Sequence, residues 1–598
     1  MRPSRFEIAE CPVEDVRRLE RELGVSGPLA QVLVRRGMAE TAHARSFLDA
    51  REEHPPQAFA GIEQAVALVL SHLASGSSIT IHGDYDVDGI CSTAVLVRAL
   101  RSLGADVDFY LPDRARDGYG LNVGTVQRLA QRGPGLLITV DCGVSAVEEV
   151  AAARALGMDV LITDHHAPRA DGRLPDAPIV HPRLCGYPCA ELCATAVAHK
   201  LAQALLEAAA RGDAGSELAA CACDRRTREA LAEDLDLVAL ATIADVVPLL
   251  GENRTLVRRG LRALAGTSKP GLRALMAVAG VDPSRLGERA VAFALAPRLN
   301  AAGRLYHADA GLELVLTADA RRAAQIADEL DRANRERRAL ERGIRFQAEA
   351  QMAELGERAA YVLSGEGWHP GVIGIVASRL VEQSARPVVL IALDADTGKG
   401  SGRSVEAFDL LAGLSACEQH LGRYGGHRAA AGLEIERRRV DEFASALCVY
   451  AETVQRPQDL VAVERVDAVL AGEDLGMPLA EELQALAPFG RGNPGVSLML
   501  DGASFTDVRP MGEGKHVRFT VEAGGVRARA VAFGTGGRLP LPARGSADPP
   551  AGEMQATFTL EVNEWNGVSE PRLVLRRAQW PERSEPAERE ELALFALP

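Results

Sequence analysis

Three aspartates alternate through Asp84-Tyr-Asp-Val-Asp88. They lie between Ser78–Ile81, an apolar run that reads as a strand, and Ile90–Ala99, which reads as the following helix. Open α/β sheets place their ligands at such carboxyl ends. Carboxylates crowded together repel one another unless a cation holds them, so the chemistry on offer is divalent-metal binding. Alone, the turn reads equally well as an acidic helix cap. Two more apolar runs end the same way, Leu136–Val140 in Asp141-Cys-Gly143 and Val160–Thr163 in Asp164-His-His166. A further acid, Asp245, interrupts an apolar helical stretch that begins at Leu235, and a buried acid is costly unless it is paired or metal-bound. Asp141 and Asp164 could each cap a helix, and either histidine could be an ordinary core residue. Four such coincidences in one domain point instead to one shared metal site.

The elements that must position these residues follow from the apolar pattern. At 598 residues the chain is too long for one core. Residues 1–50 read as a helical lead-in. Over 51–255, strand runs alternate with helical stretches, the pattern of a parallel α/β sheet. Residues 256–357 read as helical and end in a long connecting helix over Thr317–Leu355, whose Ala320, Ala323, Ile326, Leu330 and Ala333 share one face. Its arginines alternate with acids, which predicts an ion-paired solvent face. A second, smaller α/β domain is expected over 358–455 and a small barrel over 456–580, where His516–Val521, Arg527–Val531 and Thr557–Val562 alternate with period two. The tail 581–598 is expected to be disordered.

Composition narrows the class. Apolar residues make up 47% and charged residues 25%, as in a soluble globular protein. No run approaches the ~18 apolar residues of a membrane span, and the N-terminus has no signal-type apolar core, so the expected location is the cytoplasm. The net charge of −15 runs against nucleic-acid binding, but much of it belongs to the proposed metal ligands and the acidic tail. Aromatic content of 4% leaves few residues for base stacking. Cys185, Cys189, Cys193, Cys221 and Cys223 lack the paired spacing of a zinc finger and are expected to be buried thiols.

Asp84–Gly89, Val140–Gly143, Asp164–His166 and Ala244-Asp-Val-Val-Pro248 resemble the four ordered motifs of the DHH phosphoesterase family. Arg298-Leu-Asn-Ala-Ala-Gly-Arg304, Gly367-Trp-His-Pro-Gly-Val-Ile-Gly374, Gly400-Ser-Gly-Arg-Ser404 and Gly425-Gly-His427 resemble its RecJ branch, the bacterial single-strand-DNA exonucleases. Pro488-Phe-Gly-Arg-Gly-Asn-Pro494 and Asn563–Gly567 resemble segments flanking and inside that branch's nucleic-acid-binding barrel. The resemblance runs from about residue 50 to 580. It implies an α/β multidomain protein: a parallel-sheet DHH domain, a long connecting helix, a smaller DHH-associated domain and an OB-type barrel.

The resemblance also implies two divalent cations, Mn2+ or Mg2+, held by Asp86, Asp88, Asp141, His165 and Asp245, with Asp141 bridging. An oxygen-rich set with one imidazole suits those ions better than zinc. Asp84 is expected to bind metal or activate water, and His166 to act as acid, base or transition-state contact. His82 stands where some members place a ligand, a position that varies in the RecJ pattern. Ser401, Gly402 and Arg403 are expected to cradle the terminal 5′ phosphate with backbone N–H groups, hydroxyls and a guanidinium. Arg304 and Arg114 would converge on it. His427 is expected to act on the substrate, with His369 a weaker candidate, and Tyr119 to stack on a base. On the barrel, Lys515, Arg518 and Trp565 would track the strand, while the alternation places Phe519 in the core. Two departures, Cys189 for an aromatic and Ala194-Thr195 for glycines, are expected to change packing rather than chemistry.

The expected function is metal-dependent 5′→3′ hydrolysis of single-stranded DNA to mononucleotides in repair and recombination. The enzyme would be a monomer that binds single-stranded DNA and no membrane, working with a single-strand-binding protein and a RecQ-type helicase. The alternatives are a phosphodiesterase for short oligonucleotides or cyclic dinucleotides, a manganese pyrophosphatase, or an inactive replication scaffold. A strand-tracking barrel argues against a small substrate, and the retained acids and histidines argue against a scaffold.

Overall fold

A computed structural model describes residues 4–113, 116–118, 120–213, 215–305, 307–456, 462–539, 554–565 and 568–579. Arg114, Tyr119, the Trp565 side chain and the tail 581–598 lie outside the described residues. The chain forms two compact units, one of Ala50–Gln455 with Gly490–Asn493, the other of Met1–Asp49, Arg456–Phe489 and Pro494–Pro598.

The larger unit contains two sheets. The first is parallel throughout, in the order Val107–Tyr110, Ser78–His82, Gly135–Val140, Asp159–Thr163, Ile179–Val180. Its middle strand is buried along its whole length, as expected when helices cover both faces. The helix Val87–Ser102 starts directly after the aspartate turn, with Asp86 as its N-cap. Leu235–Ala244 is a core helix, buried on every side, and Asp245 stands at its end. The connecting helix runs Ala320–Leu355, and its apolar stripe includes Ala323, Ile326 and Leu330. The exposed Arg335 pairs with Asp331 at 3.1 Å, as the sequence suggests, but Arg337 and Glu341, 2.8 Å apart, are both buried rather than on a solvent face.

The second sheet is mixed, in the order Arg423–Gly426, Ala430–Glu436, Thr397–Arg403, Val388–Asp394, Tyr361–Glu366. The helix Pro370–Ser384 covers one face, and Phe408, Leu410, Val440 and Phe443 fill the other. Thr397–Arg403 is its middle strand, antiparallel to both neighbours. The sequence TGKGSGR reads as a flexible turn because glycine is poor in strands, but the tertiary packing overrides that preference. Gly398, Gly400 and Gly402 all face Ile391, Leu433, Leu410 and their neighbours, and at each of the three a Cβ would lie within 2.8 Å of a core side chain.

The smaller unit holds a closed five-stranded barrel. Leu498–Met511, His516–Ala523, Val526–Ala532, Val568–Gln579 and Met554–Trp565 pair in that order, and the last pairs back onto the first. Val517, Phe519 and Val521 point inward, so Phe519 is core, as its alternation indicates. The lead-in packs into the same hydrophobic cluster through the helices Val13–Leu23, Gly27–Arg35 and Thr41–Asp49. It also contributes a strand that its helical reading omits, Ser4–Ile8, paired in parallel with Ala462–Val466. No helix among the described residues is long and apolar enough to cross a membrane. None of the ten cysteines is in a disulfide; Cys185 and Cys193 are buried, but Cys189 and Cys221 are only partly so and Cys223 is exposed, which corrects the expectation of five buried thiols.

Candidate functional site

Ligand-capable atoms converge at the carboxyl ends of three adjacent strands of the parallel sheet and at the end of the Leu235–Ala244 helix. Three overlapping groups have their donor atoms within 4.8 Å of one another: Asp84, Asp86 and Asp141; Asp88, His165 and Asp245; Asp141, His165 and His166. Asp141 is shared between the first and last, and His165 between the second and last. The turn closes this tightly because Gly89 lies against Asp84, where a Cβ would be 2.5 Å from the backbone nitrogen. Backbone strain gathers here too. Asp141 has φ 62° and the β-branched Val246, directly after Asp245, has φ 58°, a conformation such residues rarely adopt outside functional sites.

The local electrostatics make sense only with added positive charge. Burial, and then the charges of Asp88, Asp86, Asp84 and Asp245, push the Asp141 carboxyl well above its ordinary range. Burial and Asp88 raise Asp86, and burial with Asp88 and Asp86 raises Asp245. His165 Nε2 is buried and makes no hydrogen bond, although Asp141 Oδ1 stands 3.2 Å away and oxygens of Asp88 and Asp245 both 3.8 Å. Burial lowers its pKa, which favours the neutral imidazole that a metal ligand must be. A divalent cation resolves both conflicts, and the donor set fits Mn2+ or Mg2+.

Further contacts hold the donors in place. Asp86 Oδ1 accepts from the backbone of Asp88 and Gly89 at 2.9 and 3.1 Å, so it is both cap and ligand candidate. Asp88 accepts from Ala194 N and Thr195 N at 2.7 and 2.8 Å and from Thr195 Oγ1 at 2.6 Å. The N-terminus of the helix Ala194–Ala210 therefore grips Asp88, and the Thr195 hydroxyl adds a contact that a glycine there could not make. Asn300, within the Arg298–Arg304 segment, accepts from Val87 N at 3.0 Å. Gly303 lets that helix approach Tyr85, whose carbonyl oxygen would lie 2.4 Å from a Cβ.

Asp164 is not a metal ligand in this arrangement. Its Oδ1 accepts from His166 Nδ1 at 2.8 Å and its Oδ2 from Val144 N at 2.9 Å. Burial opposes its charge, but these hydrogen bonds and the His166 imidazolium hold it at about 2. Burial likewise lowers His166, and Asp164 more than compensates, raising it to about 9. His82 is fully buried with its pKa lowered to about 4 by desolvation. It faces Cys142 Sγ at 3.6 Å and belongs to none of the three donor groups.

Arg304 and the Thr397–Arg403 strand meet around the start of the helix Pro370–Ser384. Arg304 Nη1 donates to the Gly371 carbonyl at 3.3 Å. Arg403 Nη1 lies 3.2 Å from Ser401 Oγ and 2.8 Å from the Gly402 carbonyl. Gly374 packs so closely that a Cβ there would be 2.8 Å from Ser401 Oγ and 3.1 Å from Arg403 Nη2. Gly402 does not join them. Successive residues of a strand face opposite ways, so Gly402 turns to Leu410 and Val389, and the strand's N–H groups serve the sheet ladder. The cradle is therefore made of side chains alone. His369 caps the helix, accepting from Gly371 N at 3.1 Å. His427 is an exposed turn residue of the Arg423–Glu436 hairpin, and among the described residues its ring makes no contact with the metal ligands.

Comparison with known proteins gives a consistent answer. The DHH family N-terminal domain matches residues 78–242, the DHHA1 domain 356–453 and the RecJ OB domain 466–577. The single-stranded-DNA-specific exonuclease RecJ of Bacillus subtilis is 36% identical over 583 residues, covering 96% of this chain and 70% of its own. RecJ of Escherichia coli is 36% identical over 549 residues, covering 88% of this chain and 91% of its own. The chain belongs to the RecJ family. The solved RecJ of Thermus thermophilus in complex with Mn2+ superposes with a TM-score of 0.81 at 33% identity, over 97% of this chain and 80% of that one. A Mg2+ complex of the same protein gives 0.73 at 32% identity, over 97% and 79%. The acidic centre of this RecJ-family chain holds three overlapping donor groups able to bind a metal ion.

On the RecJ OB barrel, Arg518 is exposed and directly opposite Arg509 across the strand pair. Neither has an ion-pair partner among the described residues. Like charges so placed are unfavourable unless an anion lies over them. Phe533 stands on the same face, 48% exposed. The His516 ring meets its edge at 5.2 Å and the Arg572 guanidinium lies 5.8 Å from its centroid. Lys515 is exposed beside them but paired with Glu513 at 3.0 Å. Arg509 and Phe533 are absent from the sequence-based set. The available signal was Phe533 breaking the strand alternation directly before Gly-Thr-Gly-Gly.

Proposed function

We propose that the chain is a metal-dependent exonuclease that degrades single-stranded DNA from the 5′ end to mononucleotides, in DNA repair and recombination in the cytoplasm. The observation that carries the reading is the shared position of Asp141 among mutually repelling donors, an arrangement suited to two divalent cations. Asp86, Asp88, Asp141, His165 and Asp245, with Asp84 beside them, would hold the ions. Bound there, Mn2+ or Mg2+ would supply Lewis acidity for an in-line displacement at phosphorus.

The chain's own groups account for the remaining chemistry. His166, kept protonated by Asp164, can donate from Nε2 to the phosphoryl group or the departing 3′ oxygen. Asp84 would accept a proton from the attacking water. Ser401 and Arg403, with Arg304, offer a compact cationic seat for a terminal phosphate, which fits attack at a phosphorylated 5′ end. Arg509, Arg518 and Phe533 give the barrel charge and a π-face without base-specific groups, the requirement for sequence-independent strand binding.

The test is a degradation assay with 5′- and 3′-labelled single strands, with and without Mn2+. The expected result is metal-dependent release of the 5′ label as a mononucleotide, while the 3′ label shortens progressively. Release beginning at the 3′ label, or equal cleavage of duplex, would contradict the reading.

A further inference from the structure

Arg491 lies in the short segment Gly490–Asn493, which packs with the larger unit. Gly490 and Asn493 face each other across a tight turn, with backbone hydrogen bonds of 2.8 and 3.1 Å. Arg491 and Gly492 form its tip, and Gly492 takes φ 77°, the left-handed corner that favours glycine. The tip is docked on the segment that follows Asp245, where the Arg491 carbonyl accepts from Leu249 N at 2.8 Å. Both flanking glycines are needed for that approach. A Cβ on Gly490 would lie 2.8 Å from Leu249 Cδ1, and one on Gly492 3.1 Å from Leu250 Cδ1. The backbone of Arg491 is therefore fixed four residues beyond a metal-ligand aspartate, while its side chain is exposed.

Other exposed arginines of this unit, such as Arg116, Arg128, Arg173 and Arg259, are neutralised by ion pairs. Arg491 makes no ion pair or hydrogen bond through its guanidinium among the described residues, although acids crowd nearby. A cation pinned beside the site, and not collapsed onto its carboxylates, is placed for an anion that arrives with the substrate.

We propose that Arg491 is a substrate-positioning residue that contacts a phosphodiester of the bound strand beside the metal centre. This rests on the nuclease reading above and adds a contact supplied by the turn Gly490–Asn493. The contact carries no base information, so it serves every sequence equally.

The test compares the full-length protein with Arg491→Gln, Arg491→Glu and Arg491→Lys, using 5′-phosphorylated oligo(dT) with Mn2+ from about 50 to about 200 mM salt. KM should rise about tenfold in R491Q, the scale of one lost charge-assisted contact, and further in R491E, with kcat changed little. R491K should restore most of the affinity. The slope of log(kcat/KM) against log salt should become shallower by about 0.7 in R491Q. Mn2+ titrations and thermal melts should match wild type. Unchanged KM and salt slope in R491Q, or an effect confined to Mn2+ affinity, would overturn the proposal. If R491Q is unstable while R491K is not, Arg491 is structural and the proposal also fails. A wild-type protein without nuclease activity would defeat the earlier reading instead, and the two failures are distinct.

Discussion

Asp141 follows the middle strand of one five-stranded sheet, and Arg403 ends the middle strand of the other, yet the two positions are built in opposite ways. Around Asp141, donors from separate elements are forced together against their own repulsion, and burial raises the cost. Around Arg403, one face of one strand carries a hydroxyl and a guanidinium, while the other face is stripped to glycine so that the core can close. The first site is unstable without a cation and the second is ready for an anion. A substrate with a terminal phosphate and a scissile phosphodiester answers to both.

The comparison is broken most severely at its most crowded point. Asp141→Ala should reduce nuclease activity by several orders of magnitude, because no other carboxylate joins the groups it shares. Circular dichroism should show an intact fold, and normal turnover by a folded variant would refute the bridging role.

Next in size is the support behind the centre. Asp164→Asn removes the charge that holds His166 protonated. The His166 pKa of about 9 should then fall, since burial opposes the imidazolium and only the charges of Asp245 and Asp88 remain to support it. In the wild type the imidazolium persists through neutral pH and is lost as pH rises through about 9; in the variant it is lost at lower pH. NMR titration of the metal-free protein reads the shift directly. Activity at neutral pH should drop by about ten- to a hundredfold, the usual scale for such supporting contacts.

At the cradle the effect should be smaller and selective. Arg403→Ala should weaken the preference for 5′-phosphorylated over 5′-hydroxyl ends by about tenfold, with Mn2+ binding unchanged. Equal loss on both ends would show that the anion seat lies elsewhere. Phe533→Ala, on the barrel, should cost long single strands about 1–3 kcal/mol of binding and leave hydrolysis of very short oligonucleotides unaltered.

The same contrast explains what could be read from the sequence. Asp84, Asp86, Asp88, Asp141 and Asp245 are visible because each acid interrupts or ends an apolar run, and the parallel sheet follows from those runs. Gly400–Arg403 is visible as an anion-binding composition, but not as a strand. Only the close approach of Ile391, Leu433 and Leu410 shows why three glycines sit in the middle of a sheet. Thr195 looks like a packing change because its partner, Asp88, is more than a hundred residues away. Arg491 is hidden for the same reason, since its neighbour in space, Leu249, lies far off in sequence. Local pattern reveals where a charge is costly. It does not reveal which distant segment comes to relieve it.

The central claim is that the Asp141 cluster is a two-cation site held against its own repulsion. Its most direct test is a Mn2+ titration by calorimetry, paired with thermal melts of wild type and Asp141→Asn. The account predicts two Mn2+ per wild-type chain and a large gain in melting temperature on binding. It also predicts an Asp141→Asn protein that without metal is at least as stable as wild type, having lost a repelling charge, and that gains little from Mn2+. A wild type that binds no Mn2+, or a metal-free Asp141→Asn protein markedly less stable than wild type, would contradict it.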